Sequence, residues 1–209
     1  MASSRTIARD GRAGWTLMTA IHDALRRDLD QLLRATAGHT PARARWIMFA
    51  GQLRFNLAAE AAAMWSPARA KLAGDPPGQA LLDAMEDEQQ LIGPLLTVTD
   101  DAITMNTDPV RLRQLLTRLR ARLTSHLAHE EADALPLIEQ IMSPGELGAI
   151  ARAIGGRHRG GHATRTIPWA LAGTSSNIRT QALGHLPAPT RLLYRHIWLP
   201  RHTRNTAPP

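Results

Sequence analysis

Residues 126–138 read HLAHEEADALPLI, two histidines and two adjacent glutamates within a leucine-rich stretch of helical period. Burying charge is costly unless an opposite charge or a full set of hydrogen bonds goes with it. Helical geometry decides which of the four matter. At about 100° per residue, Glu130 lies only about 40° from His126, whereas Glu131 lies about 140° away. His126 and Glu130 therefore fall on the inward stripe with Leu112, Leu116, Leu119, Leu123 and Leu137, and Glu131 is expected in solvent. His129, about 60° to the other side, is a boundary residue or supporting donor.

A His four residues before a Glu is weak evidence alone. With nine His and seven Glu in 209 residues, roughly 0.3 such pairs arise by chance. The rest of the chain supplies the context. Apolar residues recur at spacings of three and four in three further segments. The first, residues 12–36, carries Trp15, Met18, His22, Leu25, Leu29 and Leu32. The second opens with Thr40 as N-cap and Pro41 as the first helical residue and runs to Leu72, with Trp46, Phe49, Leu53, Asn56, Glu60 and Met64 in register. The third, residues 78–104, carries Leu82, Met85, Gln89, Ile92 and Leu96, and Pro94 predicts a kink in it. The fourth runs from Asp108-Pro109 to Met142, and Pro136 should bend its last turns.

Polar residues interrupt every stripe: His22, then Asn56 and Glu60, then Gln89, then His126 and Glu130. In a bundle of four helices these would meet as one buried cluster, the way bundle-core metal sites are built. The bland alternative is a hydrogen-bond network that fixes helix register. The expected fold is all-α, a four-helix up-down bundle over residues 1–142 with a helical extension over 143–202 in the same domain and a disordered tail at 203–209. Within the extension, Ser143 and Glu146 form a capping box for a short helix ending at Gly155-Gly156, the loop GGRHRGGH follows, and further helices are expected near 175–183 and from Pro187.

Composition narrows the chemistry. There is no cysteine, so disulfides, zinc fingers and iron–sulfur clusters are excluded, and any metal must use imidazole, carboxylate or amide oxygen. No run of eighteen apolar residues occurs, so the chain is expected in the cytoplasm, without a membrane partner. The net charge of +7 is uneven, because the 63 residues after Glu146 hold nine arginines and no acid. Nucleic-acid binding through this segment is the lesser reading. Trp169, Tyr194 and Trp198 favour a packed cover over a loose basic arm.

IHDALRRDLDQLL in the first helix, WIMFAGQLRFNLAAEAAAMW in the second, MEDEQQLIGPLL in the third and HLAHEEADALPLI in the fourth together resemble the haemerythrin-like, or HHE cation-binding, proteins of bacteria. The tail from IPWALAG to LPRH looks like the C-terminal extension some members carry. The resemblance implies non-haem iron between four helices, held by a His from the first, a His-x-x-x-Glu pair from the second, His from the third, and a His with a carboxylate from the fourth. His22, Glu60, His126 and Glu130 match that pattern. Asn56 and Gln89 stand where it has histidine.

Amides are weaker donors to iron than imidazole, which speaks against a full di-iron centre. Two His and two Glu remain for a single divalent ion, iron first, serving dioxygen, redox or small-molecule chemistry. A metal-free enzyme is the second expectation. In it Glu60 or Glu130 exchanges protons with His22 or His126, while Asn56 and Gln89 bind the small molecule. A non-catalytic binding or regulatory protein with a relic site is the third. A homodimer is compatible with all three.

Overall fold

The computed structural model describes residues 3–36, 43–157, 163–184, 186 and 188–201. Among them no strand occurs and the chain is all-α. The helices are α1 (Ser3–Ala35), α2 (Arg43–Glu60), α3 (Ser66–Lys71), α4 (Pro76–Thr104), α5 (Pro109–His129), α6 (Leu135–Ile141), α7 (Pro144–Arg157), α8 (Ala163–Leu171), α9 (Ser176–Gly184) and α10 (Ala188–Leu193). Helix α1 begins nine residues before the expected start, because its Ala- and Arg-rich opening favours helix while the apolar stripe starts only at Trp15. Thr40 and Pro41, the expected start of the second helix, lie outside the described residues, as do most of the GGRHRGGH loop and the tail at 203–209.

Three π turns interrupt the helices, at Ala61–Trp65, Glu130–Ala134 and Tyr194–Trp198. Each is closed by a five-residue hydrogen bond, from Ser66 N–H to Ala61, Leu135 N–H to Glu130 and Leu199 N–H to Tyr194. One residue beyond each closing donor comes a proline, Pro67, Pro136 or Pro200. A helical proline has no N–H and its ring clashes with the carbonyl four residues back, so widening the preceding turn relieves both problems. The bend expected from Pro136 thus takes the form of a π turn. Proline alone does not suffice, since α4 continues through Pro94 without a break.

The chain divides into two compact units, one formed by Met1–Ala24 with Met142–Pro209 and the other by Leu25–Ile141. In the second unit, the end of α1, the run from α2 to α3, α4, and the run from α5 to α6 pack as a bundle. Its centre holds Leu25, Leu29, Leu32, Trp46, Phe49, Leu53, Met64, Leu82, Met85, Ile92, Leu96 and Leu119, all 1 % exposed or less. Each such side chain contributes about 1.5–3 kcal/mol of burial. Gly74 (φ 89°) and Asn106 (φ 49°) end the runs before and after α4 in left-handed conformation. Asp108 caps α5 by accepting the Arg111 N–H at 3.1 Å, a contact worth about 1 kcal/mol. Asp100 fastens α2 to α4, accepting the Trp46 indole N–H at 2.6 Å and an N–H of Arg54.

The first unit has its own apolar centre of Ala20, Ile167, Leu171, Ala182, Tyr194 and Trp198. Trp169 is buried as well, so the described part of the arginine-rich segment is folded rather than a loose arm. Burial raises the Tyr194 hydroxyl above its usual pKa, against the opposing charge of Arg179. The capping box is present, with Glu146 accepting the Ser143 N–H at 2.7 Å and the Ser143 hydroxyl facing the Glu146 N–H at 3.4 Å. No helix among the described residues is long and apolar enough to cross a membrane.

Candidate metal centre

Glu60 is the last residue of α2 and Glu130 the first of the π turn after α5, and both are fully buried. A carboxylate oxygen of one lies within 4.8 Å of a carboxylate oxygen of the other. Two negative charges that close repel by about 3 kcal/mol or more at an effective dielectric of about 20. That exceeds the roughly 1 kcal/mol net contribution of an ordinary hydrogen bond. A positive charge shared between them removes the conflict.

Asn56 and Gln89 both turn to Glu60. The Asn56 amide donates to Glu60 Oε1 along the helix, and the Gln89 amide reaches from α4 to donate to Glu60 Oε2 at 3.4 Å. Asn56 is buried and Gln89 partly so. The buried carboxylate thus receives one amide hydrogen on each oxygen.

His126, 1 % exposed, is held from the other side. Its Nδ1 lies 3.0 Å from Glu88 Oε2, and His129 Nδ1 lies 2.9 Å from Glu88 Oε1. A carboxylate offers only lone pairs, so each Nδ1 carries the hydrogen and donates it. In a neutral ring that leaves His126 Nε2 with a lone pair, and this buried atom has no hydrogen-bond partner among the described residues. A carboxylate behind an imidazole in this manner fixes the ring and strengthens it as a metal donor. Burial acts to raise the Glu88 carboxyl, but the hydrogen bonds and charge of His129 and His126 outweigh it and hold the group below its usual range. His129 and Glu88 are each 31 % exposed, so both stand at the margin of the core.

Glu131, expected free in solvent, is instead gripped by Arg26 through two parallel bonds of 2.9 and 3.0 Å. This anchors the π turn next to Glu130. His22 is fully buried on α1, three residues before Leu25, where the second unit begins. Buried carboxylates are fitting donors for a divalent transition metal, and within the second unit Glu60 and Glu130 could contribute to holding one, while His126 lies outside their group.

The family model described as Hemerythrin HHE cation binding domain matches residues 13–138, well over half of the chain. The chain belongs to this family. No curated protein and no solved structure matches it. Membership implies a cation-binding site, and the HHE match spans every polar residue of the four stripes while leaving the arginine-rich segment outside. Of the residues expected from sequence, Asn56, Glu60 and Gln89 are joined by hydrogen bonds and Glu130 lies beside them. The HHE-domain residue that sequence reading missed is Glu88. Its signal was its place between Met85 and Ile92, at helical spacings of three and four, on the flank of the third stripe.

Proposed function

We propose that this HHE-domain protein holds one divalent cation, iron by donor preference, at Glu60 and Glu130, and uses it on dioxygen or a small molecule in redox chemistry. The observation that carries this reading is the pair of fully buried carboxylates with oxygens within 4.8 Å of each other. A bound ion supplies Lewis acidity and, when it is iron, access to one-electron steps. Asn56 and Gln89 orient Glu60, Glu88 holds His126 with Nε2 available to a ligand or proton, and the surrounding leucines exclude water. Elemental analysis of protein isolated without chelator should find close to one equivalent per chain, and far less in Glu60→Gln and Glu130→Gln. Metal below about a tenth of an equivalent in the unaltered protein overturns the reading.

The two amides on Glu60 favour a second reading, in which the carboxylate is kept in place with no ion and works with an imidazole as general acid and base. The readings separate on chelation. A resident cation stabilises the folded state in proportion to its affinity, so its removal lowers Tm, whereas the metal-free site predicts an unchanged melt.

A further inference from the structure

A groove of about 630 Å³ runs between α2 and α4 of the second unit, and Gln89 forms part of its wall. The same side chain donates its amide hydrogen to Glu60 Oε2 at 3.4 Å. Glu60 itself is fully buried. One partly exposed glutamine thus touches both the groove and the buried carboxylate. The bond that keeps it in place is long for an N–H···O contact, so swinging it aside sacrifices about 1 kcal/mol or less. Partly exposed side chains change rotamer within picoseconds to nanoseconds.

The groove is kept open by small residues, Ala58 and Ala61 from the α2 side and Gly93 from α4. A Cβ placed on Gly93 meets nothing within 4 Å, so any side chain there would extend into the open space. Glycine within a helix gives up about 1 kcal/mol relative to alanine, and at this exposed site no packing conflict requires it. The wall also carries two charged groups, Arg54, paired with Asp100, and Glu86, paired with Arg69, together with Gln90 and Thr97, whose neutral oxygens can hydrogen-bond the water shell of an ion. On the α5 side the corresponding approach is closed, because His126 is 1 % exposed behind Glu88.

We propose that this groove is the path by which a hydrated divalent cation reaches Glu60, with Gln89 as its gate. The inference rests on the single-cation reading. Its test is the rate of cobalt(II) uptake by the full-length, metal-stripped protein, followed by visible absorption after rapid mixing, with final stoichiometry measured separately. Gly93→Leu and Ala58→Leu fill the path and should slow uptake at least tenfold while leaving the stoichiometry unchanged. Gln89→Ala removes the gate and should speed uptake several-fold. Gly51→Leu on α2, where a Cβ likewise meets nothing within 4 Å and which does not line the groove, should leave the rate as it is. Equal rates in the unaltered protein and the Gly93→Leu/Ala58→Leu double variant, at full stoichiometry, overturn the groove while the cation reading stands. Should the double variant fail to fold, unchanged uptake in Gln89→Ala overturns it instead. No cobalt uptake by the unaltered protein defeats both.

Discussion

Asn56 and Glu60 on α2 are spaced like His126 and Glu130 on α5, one helical turn apart, yet the two pairs resolve differently. The Asn56 amide closes along its own helix onto Glu60. The His126 ring gives its hydrogen across to Glu88 on α4. An amide has one nitrogen with two hydrogens and no basic lone pair, and at Asn56 one of those hydrogens is given to the neighbouring carboxylate. An imidazole has two nitrogens, so one can be tethered while the other keeps its lone pair for something else. The difference between the helices is thus between a carboxylate steadied by amides and an imidazole tethered at one nitrogen only.

The strongest way to break this contrast is to remove the carboxylate of the second pair. Glu130→Gln should weaken cation binding by more than about 100-fold, beyond the range typical of supporting residues, as read by calorimetric titration. Next in size is Glu88→Ala, which unties His126 and His129 together. It should reduce the unfolding free energy by about 1–3 kcal/mol, measured by denaturant titration, while leaving the cation stoichiometry unchanged.

Asn56→His converts the first pair into the type of the second. It should raise cation affinity about tenfold, in the range that ligand and supporting changes produce, and adding Gln89→His should move the stoichiometry from one ion toward two. A lack of any increase would mean that the amides are not what limits the site. Pro136→Ala is milder. Relieving a proline that costs up to about 3 kcal/mol in a helix interior should raise Tm, while the narrowed turn moves Glu130 and lowers cation affinity.

The smallest effect belongs to the other unit and serves as a control. Tyr194 is the only tyrosine, and burial raises its hydroxyl pKa. The folded state favours the protonated form, so this contribution to stability is complete below the usual tyrosine value near 10 and is lost as the pH rises through the higher folded value. Tyrosinate absorbance should give a midpoint above that of the unfolded chain, and Asn56→His should leave it in place.

The helices and their inward faces were legible because burial enforces a period of 3.6, and Leu82, Met85, Ile92 and Leu96 or Leu112, Leu116, Leu119 and Leu123 can satisfy it only as helix. The inward placement of His22, Asn56, Glu60, His126 and Glu130 followed from the same arithmetic. Glu88 was not legible in that way, because a residue on the flank of a stripe has two available environments and only the partner helix, here with His126 and His129, selects one. Glu131 was read as solvated for a related reason, since its angle on α5 gives no notice of Arg26 on α1. The π turns were hidden too. A periodic reading assumes a constant turn, and Pro67 and Pro136 announce a disturbance without stating its form, as the unbroken course of α4 through Pro94 shows.

A turn of five rather than four accommodates one surplus residue, and the helix beyond it is rotated by about 100° relative to its ideal continuation. Around Glu60 and Glu130 the chain therefore seats one residue more than an ordinary helix would, without losing either helix. Deleting one residue between Glu130 and Ala134 should restore an ordinary helix and leave Leu135 and Ile138 facing a different neighbour. When this chain is compared with relatives that lack the turn, a one-residue gap belongs at that point, and without it every position after Glu130 is matched to the wrong partner.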